Sequence, residues 1–201
     1  MNGNQIMNVF YLNPNPTKCA QEHCDKHVVK MIIEYAQLMC TAHRMLDGEM
    51  YLDKTKNGRS IKRWRLQDDR ETILYKASHI NHPSTIWTRQ SQENYKWLYE
   101  LWHNLCNEYT YRYGKVHETD RKLREVLSVI PNNLNNIGIT ELPQAMPDHC
   151  KMPKALNAYR MYYVTEKARF AKWTKRDIPN WFNEGIKNVN INILFGSNVR
   201  G

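Results

Sequence analysis

The sequence has no run approaching the roughly 18–20 apolar residues that a membrane-spanning helix requires. Its opening, MNGNQIMNVF, also lacks the charged and apolar regions of a signal peptide, so a cytoplasmic protein with no membrane partner is expected. Cysteine is scarce. Cys19, Cys24, Cys40, Cys106 and Cys150 make an odd count of 5 without a CxxC pair, which argues against a disulfide framework and for thiols in a reducing compartment. There is no Gly-rich phosphate loop, no Ser-His-Asp order and no paired-carboxylate motif. Internal repeats and low-complexity tracts are missing too. Acidic charge is the minority sign: 20 Asp and Glu against 29 Lys and Arg leave a net charge of +9, which favours a polyanionic partner such as nucleic acid.

What is present suffices for a folded core. With 201 residues, 41% hydrophobic and 24% charged, the chain reads as a single domain over 1–201, with a flexible extension at 1–6 and a C-terminal tail at 186–201. The run Met7 to Leu12, closed by Asn13-Pro14-Asn15-Pro16, predicts one short extended segment. From Pro16 to about Leu46, Ala20, Cys24, Val28, Met31, Tyr35, Leu38 and Ala42 recur three or four apart and predict one long amphipathic helix. Residues 47–66, with Asp47-Gly48 and Asn57-Gly58, read as a mobile loop, followed by a short helix from about Asp68 to His79. Tyr95, Leu98, Tyr99, Trp102, Leu105, Cys106 and Tyr109 predict a helix ending near Gly114, and another spans about Glu118 to Val129. After a long loop over 131–153, helical periodicity resumes from Lys154 to Lys175. The fold class expected is mainly α: one compact helical domain with one short N-terminal extended segment.

On the first predicted helix, His23, His27, Lys30 and Glu34 are spaced by four, three and four residues and would stand on one face. The plain interpretation is a solvated stripe with a Lys30–Glu34 ion pair worth tenths of a kcal/mol. The chemical one makes Lys30 an amine nucleophile, Glu34 its proton-handling partner and His23 or His27 an aid to leaving-group protonation or a phosphate ligand. A third possibility is a metal site, because Cys19, His23, Cys24 and His27 crowd two turns; two further ligands would come from His79 with His82 or from His149 with Cys150. The favoured reading needs neither metal nor cofactor. Cations interleave with aromatic rings in two places, a combination suited to phosphates and unstacked bases. One is Arg59, Lys62, Arg63, Trp64 and Arg65. The other is the stretch from Tyr159 through Lys172, Trp173, Lys175 and Arg176 to Trp181-Phe182. Trp64 and Trp173 are candidate wedges.

These residues resemble the pyrimidine-dimer DNA glycosylases, the endonuclease V type of T-even phages. They are also similar to a group of phage proteins that open with Met-Asn-(Ile/Val)-Phe-Tyr-Leu and carry His-Cys-Asp-Lys-His-Val-Val-Lys. The similarity lies around Ala20 to Glu34, at Asn81-His82-Pro83, at Tyr95-Lys96-Trp97-Leu98, at Glu108-Tyr109 with Arg112-Tyr113-Gly114, and in the basic, aromatic C-terminal stretch. It covers about half of the chain. The resemblance implies a compact helical fold that grips double-stranded DNA, in the host cytosol if phage-encoded, without an obligate protein partner. It also implies excision of a damaged or modified pyrimidine through an amine nucleophile, then nicking by β-elimination, with His82 and Arg112 among the DNA-contacting residues. In that family the amine is the N-terminus of a threonine, whereas here Met1 to Ile6 precede the matching segment. The family's helix glutamate aligns with Lys30, and Glu34 lies a turn on. Either the chemistry has moved to Lys30 and Glu34, or DNA binding is kept without it. A non-enzymatic nucleic-acid-binding protein and a metal-dependent enzyme are the other classes compatible with the sequence.

Overall fold

A computed structural model describes residues 7–196, with side chains as far as 189. Met7 to Leu12 is extended but pairs with no strand; side chains satisfy its backbone instead. The Phe10 amide donates to the Tyr35 hydroxyl, the Leu12 amide to the Cys19 sulfur, and Arg160 Nε donates to the Leu12 carbonyl. The buried peptide groups of Phe10 and Leu12 thus keep partners without a neighbouring strand.

Helix α1 (Pro16–Glu22) starts where the Asn15 side chain accepts the Lys18 amide and Pro16 occupies the first turn. The single helix expected over 16–46 is corrected here. His23 and Cys24 are both extended, and α2 (Asp25–Asp47) begins afresh. The Asp25 amide is captured by the Lys172 carbonyl at 2.7 Å, so a distant segment holds the break open. Helix α2 is the central element, packed against α4 (Pro83–Thr88), α5 (Gln92–Tyr113) and α6 (Glu118–Ser128), while α1 lies on α5. Gly114, with φ 69°, closes α5 in the left-handed conformation that glycine adopts without steric cost.

The molecule is mainly helical, but residues 49–65 correct the expectation that its one extended segment is N-terminal. They form strands β1 (Glu49–Lys54) and β2 (Ser60–Arg65), an antiparallel two-stranded sheet in register Glu49↔Arg65 to Lys54↔Ser60. The Thr55 amide to the Arg59 carbonyl closes its loop, and Gly58 turns it with φ 75°. At its base the chain passes so close that a Cβ on Gly48 would lie 2.5 Å from the Arg44 carbonyl oxygen. The buried Arg44 guanidinium ties this base down by donating to the Tyr75, Trp64, Glu71 and Leu74 carbonyls and to Glu71 Oε2. All five of its donors are used. Because Arg44 occupies those carbonyls, the helix expected over 68–79 shrinks to α3 (Arg70–Ile73).

The final third departs from the expected Lys154–Lys175 helix as well. Helix α7 (Ala155–Tyr162) runs into a π-helical turn (Tyr163–Lys167) and a 3₁₀ turn (Ala168–Phe170), and residues 171–179 are not helical. Helix α8 (Asn180–Gly196), in contrast, runs well into the tail predicted from residue 186. Among the described residues no helix is long and apolar enough to cross a membrane. The extension at 1–6 lies outside the described residues.

Candidate functional site

Lys30 and Glu34 stand one turn apart on α2, with Nζ 3.0 Å from Oε1. They differ sharply in setting: the lysine side chain is 44% exposed and the glutamate side chain 6%. Together with Met7, Ile33, Gln37 and His79 they line a cavity of about 260 Å³, below the roughly 300–1,000 Å³ of sites for drug-sized ligands. The carboxylate forms the floor, the ammonium stands toward the mouth, and Met7 and Ile33 supply apolar wall. His79 reaches the rim on a backbone with φ 49°, a conformation sparsely populated by residues other than glycine. Gln37 continues the 30–34 line by three residues and was there to be found by extending the stripe. His79 comes from a separate segment and carries no such signal.

His23 and His27 do not join this cavity. The turn at His23–Cys24 swings His23 into the core, where Nδ1 meets the Cys19 carbonyl at 2.7 Å and Nε2 the Tyr35 hydroxyl at 2.8 Å. His27 bonds the Tyr163 hydroxyl and stacks on Phe10 with centroids 4.2 Å apart. It shares a helical face with Glu34, but seven residues at 1.5 Å each put it about 10 Å away along the axis. The metal reading of this region fails on the same facts, since Cys19 Sγ donates to the Phe10 carbonyl and both histidines are engaged elsewhere. All five cysteines are free and buried, and burial pushes the Cys19 and Cys40 thiols up to about 12.

Burial also lowers the imidazoles. It brings His23 down to about 4, drives His27 well below its ordinary value, and with Arg70 nearby brings His43 to about 4. An unfolded imidazole takes up a proton near pH 6.5 while these folded ones do not. Their stabilising effect is therefore complete above pH 6.5 and is lost as pH falls toward 4. Each group contributes a slope of about 1.4 kcal/mol per pH unit inside its window. The urea midpoint should drop steadily between pH 6.5 and 4.5, and a flat profile would show that these imidazoles are not held neutral by the fold.

The predicted DNA-contacting residues divide into two groups. Several serve the fold. His82 caps α4 by accepting the Ser84 amide. Arg112 is wholly buried, donating to Glu108, Asp25 and the Gln21 carbonyl. Arg176 makes two bonds to Glu108, and Trp173, at 7% exposure, donates to the Glu22 carbonyl and is no wedge. Lys175 Nζ reaches the Tyr111 carbonyl, and Lys172 is exposed beside it on a segment that is not the expected helix.

The others lie on the β1–β2 ribbon, where the mobile loop was expected. Strand alternation places Met50, Leu52, Lys54, Ser60, Lys62 and Trp64 on one face and Tyr51, Asp53, Ile61, Arg63 and Arg65 on the other. On the second face Arg65 lies 4.8 Å from the Tyr51 ring centroid, and Arg63 Nε is 4.0 Å from Asp53, an ion pair too long for a hydrogen bond. Arg59 is exposed in the connecting loop. The first face presents exposed lysines beside Met50 and Leu52, which are 52% and 69% exposed. A second cavity, of about 230 Å³, lies between Tyr11, Trp87, Trp97 and Glu141, none of which the sequence singled out as a site. No protein-family model, curated protein or solved structure matches the chain.

Proposed function

We propose that the protein is a DNA-binding base-excision enzyme, a glycosylase with abasic-site lyase chemistry acting on damaged or modified pyrimidines. The observation that carries this reading is the buried Glu34 carboxylate lining a cavity of about 260 Å³, with the Lys30 amine 3.0 Å away. An extruded base entering the cavity expels water. Across the 3.0 Å contact a proton can pass from Nζ to the carboxylate, which leaves the amine free to act as a nucleophile. The amine then attacks C1′ of the sugar as the glycosidic C–N bond breaks, Glu34 gives its proton to the departing base, and the resulting carboxylate stabilises the cationic sugar and takes up the proton that the new amine linkage sheds. His79 at the rim replaces His23 and His27 as the imidazole within reach of a leaving group. Base extrusion costs a few kcal/mol and costs least at a lesion, so damage itself supplies selectivity.

The ribbon supports the duplex contact. The major groove admits a two-stranded β-ribbon, and Lys54, Arg59 and Lys62 supply cations for phosphates while Trp64 offers a stacking ring. That same ribbon favours the second reading, an accessory protein that binds nucleic acid without chemistry, because it could operate with the cavity idle.

Borohydride reduction on an abasic duplex separates the two. The parent should give a trapped covalent adduct, and Lys30→Ala should lose it while binding duplex within about twofold of the parent, since one cation among many changes the phosphate contribution little. A footprint of roughly six phosphates gives binding a log–log salt slope near −5 in both proteins. A parent that binds with that slope but never traps or nicks belongs to the accessory class. An alanine variant that traps like the parent places the amine elsewhere.

A further inference from the structure

Far along the chain from Lys30, the 3₁₀ turn Asp148–Cys150 faces the π-helical turn Tyr163–Lys167. One ligating atom each from His149, Cys150 and Glu166 lies within 4.8 Å of the other two. His149 Nε2 meets Glu166 Oε1 at 2.8 Å, and the Cys150 sulfur lies 3.4 Å from the Thr165 hydroxyl. An exposed His–Glu contact is worth under about 1 kcal/mol and gives no reason for a thiol beside it. π-Helical turns are uncommon and concentrate at functional sites. This one sets Thr165 and Glu166 against residues 149–150.

We propose that His149 Nε2, the Cys150 thiolate and a Glu166 carboxylate oxygen bind one divalent ion of the zinc type. Zinc takes sulfur at about 2.3 Å and nitrogen or oxygen at about 2.0–2.2 Å, so its ligand atoms stand roughly 3–4 Å apart. The three atoms bracket that range, with Nε2 and Oε1 2.8 Å apart and no pair further apart than 4.8 Å. Cys150 is wholly buried and fixes the sulfur, whereas the His149 and Glu166 side chains are 60% and 41% exposed and free to open their mutual contact around an ion. Thiolate and imidazole together select zinc over magnesium or calcium, which prefer oxygen. On binding, the thiol proton passes to solvent. Thiolate and carboxylate then balance the two positive charges, and three protein ligands leave the fourth tetrahedral position to water. This site is independent of the Lys30–Glu34 cavity.

Cobalt(II) serves as the spectroscopic probe, with zinc content measured in parallel on chelator-treated, re-dialysed protein. The expected result is one ion per chain, with a thiolate-to-cobalt charge-transfer band that Cys150→Ser removes. His149→Ala and Glu166→Gln should each weaken binding at least tenfold without changing the circular dichroism spectrum. Both positions are accessible, so these variants decide the matter even if Cys150→Ser fails to fold. A parent that takes up no ion overturns the proposal. So does a charge-transfer band that survives Cys150→Ser, or binding equal to the parent in both His149→Ala and Glu166→Gln.

Discussion

Arg112→Ala should lower the unfolding free energy by about 3–5 kcal/mol, the usual cost of removing one partner from a buried ion pair. Its side chain is wholly buried on α5 and reaches three parts of the chain: Glu108 one turn back, Asp25 at the start of α2, and the Gln21 carbonyl in α1. Alanine leaves a cavity and three acceptors without their donor. Two of those acceptors keep other partners, because Glu108 still bonds Arg176 and Asp25 still accepts the Thr174 amide and hydroxyl. The lower end of the range is therefore expected, which for a domain of this size corresponds to a fall of roughly 6–12 °C in Tm. Urea unfolding of parent and variant checks it. A loss under 1 kcal/mol would mean that the α1–α2–α5 junction is held by packing alone. The result also bears on function: a residue whose chief duty was to hold phosphate would weaken DNA binding and leave stability nearly unchanged.

Glu34→Gln should slow single-turnover strand cleavage at an abasic site by about 10²–10⁴-fold, the usual contribution of one positioned proton-transfer group. Duplex affinity should stay within about threefold. The amide keeps the volume and much of the polarity of the cavity floor, so the change isolates charge and proton-accepting capacity. An interaction made mainly in the transition state is lost from kcat, not from ground-state binding. A purely structural Glu34 would give the opposite pattern, with Tm falling and the cleavage rate of the remaining folded protein unchanged. Unaltered turnover at unaltered Tm would remove Glu34 from the chemistry.

The sequence made some of this legible and hid the rest for definable reasons. Helix α5 announces itself because its apolar residues hold a helical period from Tyr95 to Tyr109, about four turns, and Gly114 stops it. The Lys30–Glu34 pair is equally readable, since residues four apart on a helix must be neighbours. The break at His23–Cys24 is invisible locally. It depends on the Lys172 carbonyl taking the Asp25 amide and on Tyr35 receiving His23, and periodicity knows nothing of either. That break removed His23 from the expected stripe, whereas His27 stays on the Glu34 face and is separated from it by two turns. The β-ribbon was misread as a loop because both of its faces are partly solvated, so Met50, Leu52, Lys62 and Trp64 on one face show no apolar alternation with the other. The turn signals Asp47-Gly48 and Asn57-Gly58 were there, bracketing β1, and they mark a hairpin when the intervening residues are β-prone. Cations mislead more than apolar residues do: Arg44, Arg112 and Arg176 look like surface charge in the sequence, yet each serves as a bracket between distant backbone segments or acids.

Phe10 sets a condition on the order in which the molecule can be completed during synthesis. Its ring packs on His27 and on Tyr159, Tyr162 and Tyr163, so the first described segment is enclosed largely by side chains from the last quarter of the chain. At about 5–20 residues per second, some 150 residues take roughly 8–30 s to emerge from the ribosome. For that interval α1 and the start of α2 exist without Tyr163, Lys172 or Trp173 to cover them. The helices between can form locally in the meantime, but the N-terminal strip closes last, by a loop that spans most of the protein. A nascent chain stalled before residue 155 should accordingly leave Phe10 and His27 open to chaperones and proteases, whereas one released after residue 182 should not.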